Sequence, residues 1–134
     1  MRSIMCRTRN VAEMIVRSLA VLQRLRGRDA EFIVVDGWCT DDTVSLALPL
    51  SDRIETARRG RSSQMTAGAV MARGDVLLFL HADTRLPQSG VELVGRLLAR
   101  ADCVWGRFDV RIETRNPTLR IVAHMMNVRS RWSG

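Results

Sequence analysis

The 134 residues include no lysine and no tyrosine, so all 21 basic side chains are arginines. A nucleic-acid surface ordinarily draws on both Lys and Arg for its phosphate contacts. Complete absence of lysine reads instead as a codon preference of the whole genome. Aromatic residues are scarce as well: three Phe and three Trp, dispersed along the chain, too few for a platform on which bases stack. A basic nucleic-acid-binding domain is therefore the weakest reading of the net charge of +7, since charge speaks to partners and not to fold. The three cysteines (Cys6, Cys39, Cys103) are far apart, odd in number and form no CxxC pair. That fits reduced thiols in a cytoplasmic protein better than a disulfide framework or a zinc site. The longest apolar run, Val76–Leu80, is far short of the roughly 20 residues that span a bilayer. An arginine-rich N-terminus is one mark of a transit peptide, but here it runs into a periodic helix without a break in composition and reads as part of the fold.

The length supports one domain, residues 1–134, with one core. Val11, Met14, Ile15, Leu19, Leu22 and Leu25 recur at helical spacing and predict an amphipathic helix that Gly27 ends. Glu31–Asp36 is a short β-branched run that predicts a buried strand closing at Gly37. Thr40, Asp41 and Asp42 offer a cap and an acidic first turn for a helix over Thr43–Leu48, stopped by Pro49. A short strand is expected at Arg53–Ala57. A helix capped by Ser62 or Ser63 should follow, running through Ala72 and stopping at Gly74. Asp75–Leu80 predicts a second buried strand, Val91–Ala101 a helix, Val104–Ile112 an exposed or edge strand, and Pro117 opens a last helix towards Val128. Strands alternating with helices imply an α/β fold with a mostly parallel sheet and helices on both faces.

Ligands of such sheets bind beyond the carboxyl ends of the strands, and two strands end there in acids. His81 and Asp83, two residues apart past the second strand, can share a divalent cation such as Mn²⁺ or Mg²⁺ together with phosphate oxygens. The same residues also read as a packed strand end and a turn cap. Asp36 can accept hydrogen bonds from a base or ribose, Gly37 lets a ligand approach the backbone, and Trp38 can meet a ring face; a plain strand–turn–helix connection is the alternative. Arg58, Arg59 and Arg61 precede a helix N-terminus, which makes an anion site for a diphosphate or a solvated cluster.

Taken in order, the blocks EFIVVDGWCTDDT, ARRGRSSQMTAGAVMARGDVLLFLHADTRLP and VWGRFDVRIE resemble family 2 glycosyltransferases, in particular a small bacterial subgroup with a histidine in its metal motif. The resemblance implies a Rossmann-like GT-A fold, a nucleoside-diphosphate sugar donor and a divalent metal. It implies that Asp36 contacts the nucleotide and that Arg59 or Arg61 contacts the diphosphate. Asp83 becomes the metal-linked carboxylate, with His81 standing at the first position of the DxD pattern. Asn10 matches the asparagine of the first-strand P-x-x-N-E motif.

The chain also departs from that pattern. The segment Ile4–Val11 lacks both the proline and the glutamate, and a central strand carrying Arg7 and Arg9 would be costly to bury. Trp38-Cys39 replaces the usual Gly-Ser. Family members continue well past the position of Gly134, through an acceptor site and an acidic general base. The expectation is therefore a donor-binding part that stops in mid-fold, with no catalytic residue assigned; Asp102 and Asp109 fall outside the position of the base. A catalytically incomplete fragment acting as a nucleotide-binding or interaction module, self-associating through an unfinished sheet, is the second reading. The last helix is apolar enough to lie on a membrane surface, as a peripheral contact, although core packing is the commoner use of such a face.

Overall fold

The computed structural model describes residues 1–27, 30–87, 89–99 and 104–132. They form two compact units, Met1–Leu97 and Leu98–Gly134.

Four parallel strands organise the first unit: β1 (Arg2–Thr8), β2 (Ala30–Asp36), β3 (Arg53–Thr56) and β4 (Val76–His81), in the spatial order β3-β2-β1-β4. Helices α1 (Ala12–Ala20), α2 (Thr43–Ala47) and α3 (Arg61–Met71) alternate with them, and α4 (Gly90–Leu98) follows β4. The chain steps from β1 to β2 to β3 in one direction and then crosses back to place β4 on the other side of β1. Because such crossovers are right-handed, α1 and α2 lie on one face and α3 on the other. The α/β expectation with a mostly parallel sheet and helices on both faces is met.

Burial follows the topology. All seven residues of β2 are buried, as a strand covered on both faces requires. Met5, Ile33, Val35 and Ala57 form the core beneath Ala67, Ala69, Met71 and Ala72 of the α3 segment. Ile4, Phe32 and Val34 alternate onto the opposite face and are fully buried, each worth about 1.5–3 kcal/mol relative to exposure. Strand β1 forms despite its arginines. Arg7 is half-buried at the carboxyl end of the strand, and Arg9 lies beyond it in solvent, so neither charge enters the core.

Several boundaries differ from the sequence expectation. The first helix is shorter, ending at Ala20 and giving way to a 3₁₀ turn over Gln23–Leu25. Pro49 does not stop the second helix abruptly but enters a 3₁₀ turn, Leu48–Leu50, where its missing N–H costs nothing. No serine caps α3: the helix starts at Arg61 after Gly60, whose φ of 137° suits glycine and few other residues. The expected buried strand at 75–80 pairs only with β1 among the described residues, and its Leu77 and Phe79 are each 41% exposed, as on an edge strand. Helix α4 ends at Leu98, with Ala99 in a turn, and the rest of its predicted extension to Ala101 lies outside the described residues.

In the second unit, α5 spans Pro117–Trp132. The predicted strand over 104–112 is absent. Its backbone has no neighbouring strand among the described residues of the unit; instead the amide of Asn127 takes both polar groups of Val110, accepting from its N–H at 2.8 Å and donating to its carbonyl at 2.9 Å. Helix α5 buries Ala123 alone among its described residues. No helix among the described residues is long and apolar enough to cross a membrane.

Two clamps hold the strand ends. At the amino edge, Glu31 accepts from the Ser3 hydroxyl (2.5 Å) and the Arg73 N–H (2.6 Å), while the Gly74 N–H donates to Ser3 Oγ at 2.8 Å. Burial raises the Glu31 pKa, but the hydrogen bonds from Ser3 and Arg73, the charge of Arg53 and the Gly74 N–H bring it below the ordinary glutamate value. At the carboxyl edge, the buried Gln64 of α3 donates from Nε2 to the carbonyls of Thr8 and Val35, both at 3.0 Å. Gly37 admits that amide: a Cβ there would sit 2.6 Å from Gln64 Nε2 and 3.0 Å from the Thr8 carbonyl oxygen.

Both clamps are open to measurement. Glu31→Ala should lower stability by about 1–3 kcal/mol in urea denaturation, because it leaves buried donors unpaired. A depressed carboxylate contributes stability that is complete above its unfolded pKa and lost as pH falls through its folded pKa. The gap between parent and variant should therefore be widest near neutrality and close in acid; a gap independent of pH would contradict the assignment. Gly37→Ala should cost about 1–3 kcal/mol through overpacking, and Gln64→Ala in the same background should recover part of that loss.

Candidate functional site

Parallel pairing brings the carboxyl ends of all four strands to one edge. There Thr8 is opposite Asp36, Asp36 opposite Thr56, and Arg7 opposite His81. The direction of chain progression reverses between β1 and β4, the place where an open α/β sheet leaves a ligand crevice. Every residue singled out from the sequence as nucleotide- or metal-contacting lies at this edge: Asn10 just after β1, Asp36 and Gly37 at the end of β2, Arg59 and Arg61 where α3 begins, and His81 and Asp83 at and just beyond the end of β4.

The β1–α1 and β2–α2 loops are locked to one another. Asn10 donates to Thr40 Oγ1 at 3.4 Å and accepts from the Thr40 N–H at 3.0 Å. Its own N–H donates to Cys39 Sγ at 3.2 Å. The Val11 N–H meets Thr43 Oγ1 (2.9 Å) and the Ala12 N–H meets Asp41 Oδ2 (3.2 Å), so the α2 loop satisfies donors left open at the start of α1. Asp41 also accepts from the Thr43 hydroxyl and N–H. These bonds, the Thr43 hydroxyl foremost, hold its carboxyl below the usual range. Asp41 thus serves two helices, where the sequence suggested one. Asn10 and Trp38 both have positive φ, 48° and 66°, and Trp38 is 62% exposed. Asparagine tolerates that backbone region and tryptophan does so at a cost.

Asp36 is buried, and its Oδ1 accepts the Cys39 N–H at 3.0 Å. Burial and the adjacent Asp36 push the half-buried Cys39 thiol above its ordinary pKa. Burial foremost, with the charge of Asp83 next, pushes the thiol of Cys6 up to about 12, which leaves it protonated and unreactive at neutral pH. Both are free thiols; Cys103 lies outside the described residues.

His81 Nδ1 stands 2.6 Å from Asp83 Oδ1, yet the approach is off the hydrogen-bonding direction, and this buried nitrogen has no hydrogen-bond partner. The close distance is an electrostatic juxtaposition, and the unmet nitrogen is the more informative of the two observations: a buried polar atom calls for a partner. No cluster of three or more metal-binding side chains occurs among the described residues, so this pair could supply only part of a coordination sphere. A small pocket of about 60 Å³ opens at the same edge between α3 and the sheet, lined by Arg7, Arg61, Gln64 and His81 above an apolar floor. Arg61 reaches it; Arg59 is exposed outside it. Arg7 and Gln64 were not recognised as site residues from the sequence. The strand register sets Arg7 beside His81, and the docking of α3 across two strand ends brings Gln64.

Outside this edge, Asp109 is paired with Arg131 and stands 3.6 Å from Arg107, and Asp102 lies outside the described residues.

Comparison with solved structures finds the same fold in several glycosyltransferases. Glucosyl-3-phosphoglycerate synthase from Mycobacterium tuberculosis, in complex with Mn²⁺, UDP and glucosyl-3-phosphoglycerate, matches with a TM-score of 0.66 and 24% identity, over 75% of this chain and 40% of its own. The mannosyltransferase PcManGT from Pyrobaculum calidifontis, in complex with GDP-Man and Mn²⁺, matches equally well (0.66, 24%) over 75% of this chain and 32% of its own. TarS from S. aureus in complex with UDP-GlcNAc matches at 0.61 and 17%, over 73% and 31%. At these identities the likeness is one of fold, and the chain spans 40% or less of each of these relatives. No curated protein sequence matches the chain. The sequence model of the family described as Glycosyl transferase family 2 matches residues 3–131, nearly the whole length, and the chain therefore belongs to glycosyl transferase family 2.

Proposed function

We propose that the carboxyl edge of the sheet binds a nucleoside-diphosphate sugar with a divalent cation and serves transfer of the sugar to an acceptor. The observation that carries this reading is the pairing of His81 Nδ1, buried and without a hydrogen bond, with Asp83 Oδ1 at 2.6 Å, at the crevice where the chain reverses direction. A divalent ion such as Mn²⁺ or Mg²⁺ fits that donor pair, since imidazole and carboxylate both suit Mn²⁺. When bound it would neutralise charge on the departing diphosphate. His81 and Asp83 would hold it, with phosphate and water oxygens completing the shell. Arg61, with Arg59 behind it, places guanidinium groups at the start of α3, where the helix dipole also favours an anion. Asp36 offers the nucleoside a carboxylate; Gly37, expected to let a ligand approach the backbone, is instead buried against the Gln64 amide and serves the strand end. Asn10 supports them by fixing the two loops to each other. Relatives bound to UDP, GDP-Man, UDP-GlcNAc, Mn²⁺ and Mg²⁺ support the donor class. The free thiols suit a reducing, cytoplasmic setting.

A second reading, donor binding without transfer, is favoured by the state of the acids. Asp36 already accepts a backbone N–H and Asp109 is ion-paired, so neither is a free general base. An assay that separates donor hydrolysis and transfer from binding tells the two readings apart.

Thermal denaturation against a panel of UDP-, GDP- and dTDP-sugars, with and without Mn²⁺, tests the proposal. One nucleotide class should raise Tm in a metal-dependent way, with about 2.7 kcal/mol of stabilisation when ligand is present at 100 times its Kd. The shift should disappear in Asp83→Ala. A cooperative transition that no donor moves would refute it.

A further inference from the structure

We propose that Arg7 and Arg61 form an oxyanion pocket that takes one phosphate group directly, independently of any metal ion. Four observations converge on it. The two guanidinium groups come from different elements, the carboxyl end of β1 and the first turn of α3, and line one pocket with Gln64 and His81 over Met5 and Phe79. The strand register fixes this arrangement: Met5 pairs with Phe79 on the floor, and Arg7 with His81 at the rim.

Neither arginine has an acidic partner among the described residues, although Arg26, Arg107 and Arg131 all find one. Arg7 is half-buried, and a desolvated guanidinium without a counter-charge is costly. A bound anion removes that cost.

Gln64 prepares the pocket for negative charge. Its amide occupies the carbonyl of Val35, a lining residue whose acceptor would otherwise repel an incoming oxyanion. The pocket volume is about 60 Å³. That suits one phosphate group and is far below the several hundred Å³ of a site that engulfs a drug-sized ligand, so the base and ribose would lie outside it. Arg7 adds a fixed charge at a place where His81 and Asp83, among the described residues, offer a metal only two side chains.

In the donor, this phosphate belongs to the diphosphate, which rests on the reading given above; the pocket itself does not depend on it. The experiment is calorimetric titration with inorganic pyrophosphate in EDTA at low salt, with uridine as a phosphate-free control. Binding to the parent chain and none of uridine is expected. Arg7→Met and Arg61→Met should each weaken pyrophosphate about tenfold or more, as loss of a charged hydrogen bond does. Arg17→Met, an equal loss of charge from the exposed side of α1, should leave it unchanged. If Arg7→Met melts early, Arg61→Met on the exposed first turn of α3 carries the test. Pyrophosphate that fails to bind in EDTA, or binds equally to both variants, overturns the pocket. Metal-dependent binding of a nucleotide sugar that Arg7→Met leaves intact also overturns it while the donor reading stands. Arginine-dependent pyrophosphate binding with no response to any nucleotide sugar upholds the pocket and removes the donor reading instead.

Discussion

Strand β1 is paired on both sides in parallel register, with β2 and with β4, and the rest of the first unit depends on that arrangement. Parallel pairing obliges each connection to cross over the sheet, which supplies the helices that cover it. It also brings every strand end to one edge, so that residues far apart in the chain meet without any contact of their own to draw them together. Arg7 and His81 are neighbours for this reason alone. The Glu31 network at one edge and the Gln64 amide at the other keep the register from slipping. Each does so with hydrogen bonds that are expensive to leave unmade once buried.

Much of this was legible in the sequence because hydrophobic pattern and turn residues agreed. The run Glu31–Asp36 announced a buried strand, and Gly37 announced its end. The alternation of strands and helices announced a parallel sheet and therefore the edge at which Asp36, Arg61, His81 and Asp83 meet. Other features were hidden for physical reasons. Arg7 resembled a fault in a central strand, because a sequence shows that a charge is present but not that the strand ends beneath it. Gln64 gave no signal, since a glutamine inside a helical run looks solvated until the helix is docked across two strand ends. The hydrogen bonds joining Asn10 to Thr40 and Cys39, and Asp41 to Ala12, are contacts between loops and have no periodicity to betray them. At 104–112 the alternation was real, but alternation supplies only one side of a ladder. Without a neighbouring strand in its unit the segment pairs with the side chain of Asn127.

The site divides labour between rigid and exposed parts. Its fixed members are built into strand ends or buried amides: Gln64, Asp36 and the His81 nitrogen. Trp38, Arg59 and Asp83 sit further out, at the surface. Such a division leaves the charge pattern preformed and lets the outer side chains adapt to what is bound, which limits the ordering cost of binding.

The strand order β3-β2-β1-β4 also bears on how the molecule comes to be made. During synthesis β1, β2 and β3 emerge first and can pair in sequence, but β1 keeps one edge unpaired until residues 76–81 have left the ribosome. In that interval a strand with Ile4, Met5 and Cys6 at its centre presents open backbone groups to any other chain nearby, the situation in which edge-to-edge association arises. Closing the sheet then requires a contact between residues more than seventy positions apart, from Arg2 to Val76, and long-range parallel pairing is slow. The return of the chain to β1 creates the crevice, and it also means that β1, the first strand made, is enclosed only when β4 arrives.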